Sequence, residues 1–405
     1  MSERLEGARV LIYSHDTFGL GHLRRCRAIA HSLVERFKGL SVLILSGSPI
    51  IGSFDFRARV DFVRIPGVIK LHSGEYKSLG LHIDLEETMA MRAAIIRHTA
   101  EAFRPNLFLV DKEPLGLKGE VVPTLNDLKA RGSRLVLGLR DIMDEPTMLS
   151  REWEHKHVMP ALTGLYDEIW VYGLEALADP LAGIDCPPAV HAKVAYTGYI
   201  RRTLPFTERP PERPFGDEPY LLTTVGGGGD GMPVVDWVLR AYEHDPDIPI
   251  NMVIVLGPFM SPARQREFRA RVDRLPRVRV LTFDSNPEFL IANAAGVVSM
   301  GGYNTFCEIL SFDRPAILVP RTAPRQEQLL RATRASDLGL VRMLDIELGA
   351  DAEQMALALR GLPSQPKPSV CGATEMLRGL DTIGRLAARH LPTHRRRVRA
   401  AIAAV

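Results

Sequence analysis

His22 stands in the segment GLGHLRRC (Gly19–Cys26), just downstream of an apolar run at Val10–Ser14. A neutral imidazole at the C-terminal edge of a strand, where a helix begins, is suited to taking a proton near pH 7. A histidine at a helix start also serves as a cap or a phosphate contact, and the sequence leaves both roles open. His15 is a second candidate in the same loop. Gly19 and Gly21 permit a tight turn, and Arg24 and Arg25 offer anion contacts. Carboxylates that could support such a base or orient an acceptor follow two later apolar runs: Asp111 and Glu113, then Asp141, Asp144 and Glu145. Asp141, next to Arg140 and immediately after its run, is the carboxylate singled out as catalytic; the others also read as solvated caps.

Two glycine turns suggest where a second kind of chemistry resides. In GVVSMGGYNTFCEIL the pair Gly301–Gly302 separates an apolar strand from a short helix, Tyr303–Ser311. Glycines there leave the first helical N–H groups uncovered, and those amides with the helix dipole form an anion site suited to a diphosphate. Glu308 lies within that helix, within reach of a ribose hydroxyl pair, and Glu327–Gln328 follow the next strand. The run Gly226–Gly229 in LLTTVGGGGDGMPVV repeats the strand–glycine–helix logic. It lacks the Lys-Ser/Thr ending of a P-loop and the GxGxxG spacing of a dinucleotide fold. Phe283 and Asp284 follow a further strand, in a stretch that by itself also reads as a plain loop with a buried Phe. No Asp-x-Asp triplet falls in a suitable loop, so metal ligands and cofactors are expected to be absent and amides to meet the diphosphate charge.

The elements that must position these residues alternate strand and helix throughout. Strands are expected at Val10–Ser14, Val42–Ser46, Phe62–Ile65, Leu107–Val110, Leu135–Leu139, Ile169–Tyr172 and Val194–Thr197. A second series is expected at Tyr220–Val225, Met252–Leu256, Val278–Phe283, Val297–Met300 and Ala316–Val319. A long helix, Leu85–Phe103, repeats Met89, Ile96 and Phe103 near the helical period. This is the pattern of two doubly wound α/β domains. The first spans 1–200, a Pro-rich linker 201–219, the second 220–371, and a terminal helix with a basic tail 372–405. Two such halves make a cleft, and ligands bind outside the strand C-termini.

With 405 residues, 46% hydrophobic and 24% charged, the chain has the composition of a soluble globular protein. A net charge of +3 carries no nucleic-acid footprint. Cys26, Cys186, Cys307 and Cys371 lack metal-ligand spacing and read as buried free thiols in a reducing compartment. The start MSERLEGARV has no apolar signal region, so a cytoplasmic protein is expected. Arg385, Arg389, Arg395, Arg396, Arg397 and Arg399 make the terminus basic: a peripheral contact with the inner membrane face if it has an apolar side, a solvated tail otherwise.

GGYNTFCE, followed by RPAILVP and EQ, resembles the nucleotide-sugar signature of GT-B glycosyltransferases. It is most similar to that of the cell-wall N-acetylglucosaminyltransferases acting on undecaprenyl-linked muramoyl pentapeptide. The resemblance implies two Rossmann-like domains facing across a cleft, acceptor side first, with a C-terminal helix crossing back to the first domain. It implies a UDP-sugar donor and a small-molecule or lipid-linked acceptor, with inversion. His22 would be the base, with Gly21 and Arg25 in its loop. Thr305 and the glycines would lie at the diphosphate, Glu308 at the ribose, Gln328 at the sugar, and Phe283–Asp284 at the base. The family carries a Ser in its Gly-rich loop where this chain has Gly228, with Thr223 and Thr224 upstream. GHLRRC also resembles the GHxxRC segment of the UDP-sugar hydrolase of pseudaminic acid synthesis, which keeps water open as the acceptor. A UDP-sugar 2-epimerase is a third reading; it would need several carboxylates converging on the sugar.

Overall fold

The computed structural model of the chain describes residues 3–15, 21–70, 75–205, 211–284 and 286–392. Gly19, part of the Pro-rich linker (206–210) and the arginines from Arg395 onward lie outside the described residues. Two compact units form: one up to Ile200 together with the segment from Arg378, the other Arg201–Leu377.

The first unit contains β1 (Glu3–Ser14), β2 (Phe37–Ser46), β3 (Val60–Arg64), a small hairpin of β4 (Val68–Lys70) and β5 (Tyr76–Ser78), then β6 (Leu107–Asp111), β7 (Arg134–Arg140), β8 (Glu168–Tyr172) and β9 (Val194–Tyr196). Seven of these make one sheet in the order β3-β2-β1-β6-β7-β8-β9, every pairing parallel. Helices cover both faces, so central strands such as LFLVD at β6 are buried along their whole length. The order reverses between β1 and β6, which places the ends of those two strands on either side of a crevice.

Helix Leu85–Phe103 occupies the span the sequence suggests. Asp84 caps it by accepting from the Glu87 amide, and Glu86 and Glu87 in the first turn suit the dipole. Its fully buried residues are Thr88, Arg92, Ile96 and Ala100. The expected Ile96 is among them and Phe103 packs partly buried against the same core, while the innermost position of the first turn is Thr88 rather than its neighbour Met89. Arg92 can point inward because Glu120 meets it with two hydrogen bonds of 2.6 Å. The terminal helix, Gly379–Ala388, packs on helix Gly21–Arg36 of the same first unit. A Cβ on Gly384 would come within 2.6 Å of Arg36 Cδ, so glycine permits the approach. His390 Nε2 lies 2.6 Å from Glu168 Oε1, and the Gly379 amide donates to the Tyr199 carbonyl at 3.0 Å. The chain therefore returns to its first unit.

The second unit holds β10 (Tyr220–Thr224), β11 (Asn251–Val255), β12 (Val278–Leu281), β13 (Gly296–Ser299), β14 (Ala316–Leu318) and β15 (Arg342–Met343). Their order, β12-β11-β10-β13-β14-β15, is the doubly wound arrangement, all parallel, with its reversal between β10 and β13. Two-residue β15 and the β4–β5 hairpin are too short to show a period in sequence. Cys26 and Cys307 are buried as expected; Cys186 and Cys371 are partly exposed.

Candidate active site

In the first unit, the reversal point joins the helix after β1 to the last residue of β6. His22 Nδ1 lies 2.6 Å from Asp111 Oδ2, with the imidazole 16% exposed and the carboxylate fully buried. Arg25, one helical turn on, donates from Nε to Asp111 Oδ1 at 2.8 Å and from Nη2 to Oδ2 at 2.5 Å. Burial alone would raise the Asp111 carboxyl, but the Arg25 guanidinium and the His22 hydrogen bond outweigh it and hold Asp111 ionised. An ionised carboxylate accepts and a guanidinium only donates, so we assign the imidazole proton to Nδ1. Arg25 Nη2 also comes within 3.0 Å of Nδ1, because both donors converge on Oδ2. Nε2 is left with its lone pair. Burial lowers the His22 pKa, opposed by Asp111, which favours the neutral ring a base requires.

The carboxylate facing His22 is thus Asp111, one of five candidates, rather than the singled-out Asp141. Asp141 is buried at the end of β7, takes a 2.8 Å hydrogen bond from the Tyr199 hydroxyl, and is packed by Gly173. Glu145 caps helix Pro146–His155, and Asp144 accepts from the Glu145 amide. Glu113 is paired with Lys112 and Lys156 at 3.4 and 2.9 Å. Arg25, expected at an anion, is 2% exposed and spends two donors on Asp111. Gly21 opens the helix that carries His22.

His15 stacks edge-on to His22, ring centroids 5.8 Å apart. Its Nδ1 lies 3.3 Å from the Tyr13 hydroxyl, which donates to Glu120 at 2.6 Å, the same carboxylate that Arg92 clamps. Burial depresses His15 to a pKa of about 3, so it too is neutral. The Arg92–Glu120 pair has no sequence signal, since neither residue lies in a motif.

In the second unit both glycine turns sit at the reversal point. The run Gly226–Gly229 follows β10 and Gly301–Gly302 follows β13, and those strands are paired through Thr224 and Ser299. Gly228 has φ +84°, and a Cβ there would lie 2.1 Å from the Leu256 carbonyl oxygen. That contact explains why no serine occupies this position. Thr223 does not replace it, because its hydroxyl turns to the Met252 sulfur at 3.2 Å. Gly226, Gly227 and Gly229 are exposed. The Phe259 amide pins the loop by donating to the Gly227 carbonyl at 2.9 Å.

Gly301 takes φ +74°, and buried Arg331 donates to its carbonyl at 3.0 Å. Gly302 precedes helix Tyr303–Ser311 with no side-chain cap, and a Cβ on it would meet open space. Thr305, half-buried, lies in the first turn. Glu308, in the second, is 1% exposed. The Gln328 side-chain oxygen accepts from the Arg321 amide at 3.3 Å, and Glu327 Oε1 accepts from Arg321 Nη2 at 2.7 Å. β12 ends at Leu281, two residues before Phe283, whose ring is 44% exposed, while Asp284 turns back to accept from the Asn286 amide at 2.7 Å. Arg321, which meets both Gln328 and Glu327, lies in no motif read from the sequence.

Residues 223–354 match the glycosyltransferase family 28 C-terminal domain. Over 236 residues the chain is 28% identical to the UDP-N-acetylglucosamine--N-acetylmuramyl-(pentapeptide) pyrophosphoryl-undecaprenol N-acetylglucosamine transferase of Rhodopseudomonas palustris (strain HaA2). That alignment takes in 57% of this chain and 63% of the relative, less than two thirds of its length. Among solved structures, the glycotransferase of kitacinnamycin superposes with a TM-score of 0.65 at 18% identity, covering 96% of this chain and 100% of that one. Acinetobacter baumannii MurG does so with 0.58 at 13%, covering 94% and 99%. At such identities the likeness is one of fold. The two doubly wound units, with the chain returning to the first, have the GT-B architecture.

Proposed function

We propose that this protein is a GT-B glycosyltransferase that moves a sugar, an N-acetylhexosamine, from a UDP-sugar to an acceptor hydroxyl with inversion. The acceptor is a small molecule or a lipid-linked one. The observation carrying this reading is the pair of glycine turns flanking the strand-order reversal, inside the stretch that matches the family 28 C-terminal domain. The amides of Gly226, Gly227 and Gly229, residues that are themselves exposed, together with the N-terminus of the helix after Gly302, meet the diphosphate charge as UDP departs. Glu308 holds the ribose, Gln328 the sugar and the Phe283–Asp284 segment the uracil, with Glu327 part of the same donor site. His22 Nε2 takes the acceptor proton while that oxygen attacks the anomeric carbon and the bond to the diphosphate breaks. Asp111 fixes the tautomer and stabilises the imidazolium that forms, supporting His22 where Asp141 was first expected.

No helix among the described residues is long and apolar enough to cross a membrane, so a lipid-linked acceptor would be met at a bilayer surface. His22→Ala is expected to abolish UDP release from UDP-N-acetylglucosamine while leaving UDP affinity nearly intact; unchanged turnover removes His22 from the reaction. Glu308→Ala is expected to weaken UDP binding, and an unaltered dissociation constant by calorimetry counts against the ribose contact. Sugar release at full rate with no acceptor present would replace transfer with hydrolysis at the same site.

A further inference from the structure

Arg321 lies just beyond β14 and reaches back over the strand ends. Its Nη1 bonds Asp230, the residue after the glycine run, and its Nη2 bonds Glu327 at 2.7 Å. The glycine run follows β10 and Arg321 follows β14, while β13, with the Gly301–Gly302 turn at its end, lies between those strands. The Asp230–Arg321 pair therefore spans the mouth of that turn. The two carboxylates differ: the Glu327 side chain is 5% exposed and that of Asp230 is 45%. A buried carboxylate is costly to strip of its partner, whereas an exposed pair is weak and exchanges easily. The guanidinium also keeps a buried Nε–H that meets no acceptor among the described residues. A cation with one spare donor, one fixed partner and one exchangeable partner is arranged to accept another anion.

Building on the donor site proposed above, we propose that Arg321 binds the diphosphate of the nucleotide-sugar and that Asp230 is an internal stand-in for it. In the free protein Asp230 occupies the outer edge of the guanidinium. The incoming diphosphate displaces it, while Glu327 keeps Arg321 aimed at the turn. The anion then gains a guanidinium contact beside the glycine amides, and the protein avoids leaving a bare cation in the empty site.

The two partners have opposite effects on binding. Calorimetry with UDP, and with uridine as a control lacking phosphate, separates them. Arg321→Gln is expected to weaken UDP binding about 10- to 100-fold, the worth of a hydrogen bond to a charged group, with any uridine binding unchanged. Asp230→Asn removes the competitor and is expected to tighten UDP binding about two- to fivefold. Arg321→Lys, which keeps the charge without the fork, is expected to fall between the unaltered protein and Arg321→Gln. If both Asp230→Asn and Arg321→Gln weaken UDP binding, the pair is a structural strut and the proposal is overturned. UDP binding by Arg321→Gln equal to that of the unaltered protein overturns this inference alone. No UDP binding by the unaltered protein overturns it together with the functional reading.

Discussion

Asp111 does for His22 what a free carboxylate on a loop could not. It is buried, held ionised by Arg25, and so places the imidazole proton on Nδ1. If Nε2 is the base, activity rises with pH as His22 loses its proton, with a midpoint below the ordinary histidine value because burial lowers it. Asp111→Asn removes the partner that supports the charged ring. The midpoint of kcat/KM is then expected to move further down in pH, and the plateau to fall about 100-fold or more. Removing the charge also leaves Arg25 buried without its ionised partner, which lowers stability. Only the shifted midpoint separates catalysis from folding; an unmoved midpoint would leave Asp111 a purely structural residue. In the sequence this aspartate was visible as the last letter of LFLVD but was not distinguishable from its rivals. Strand order decides the matter, because β6 and not β7 lies beside β1.

At the scale of single elements, the glycine run and the helix starts were legible as glycines that follow apolar strands. Their individual requirements differ. Gly226, with φ +63°, opens to empty space, while Gly228 packs on the backbone of Leu256 and Gly257. Gly226→Ala is expected to cost about 1–2 kcal/mol of left-handed strain and to leave UDP binding measurable. Gly228→Ala must move the neighbouring backbone, and is expected to lose UDP binding and to lower the Tm more than its neighbour does. Equal effects in the two variants would mean the packing does not shape the loop.

Helix Leu85–Phe103 shows the limit of pattern reading. Its ends follow from Asp84 and the apolar period, but its inward face includes Arg92, a residue that periodicity assigns to water. The long-range partner Glu120 makes that burial possible, and it also anchors the Tyr13–His15 chain. His15 makes this region acid-sensitive. The unfolded chain takes up a proton near pH 6.5 and the folded one only near pH 3. Between those values the unfolded state binds more protons, so stability is complete above about 6.5 and falls by up to about 1.4 kcal/mol per pH unit below it. His15→Asn is expected to flatten the decline of the denaturation midpoint between pH 6.5 and 4. An unchanged slope would place the sensitivity elsewhere.

For the whole molecule, the two doubly wound units follow from alternating strands and helices, glycine turns and a Pro-rich change of composition, while the returning terminal helix was implied by the family resemblance. The return of Gly379–Ala388 rests on Gly384 packed against Arg36, the Gly379–Tyr199 hydrogen bond and the His390–Glu168 pair, long-range contacts that no local pattern announces. The division of labour proposed here puts proton transfer in the first unit and diphosphate binding in the second. Its most direct test is thermal stabilisation by a panel of UDP, UDP-N-acetylglucosamine, UDP-glucose and dTDP-glucose. The expected result is a dose-dependent rise with UDP and UDP-N-acetylglucosamine, about 5–10 °C at a hundredfold excess over Kd, that persists in His22→Ala and disappears in Gly228→Ala. No shift with any nucleotide diphosphate at millimolar concentration would contradict a nucleotide-sugar site at the β10–β13 reversal.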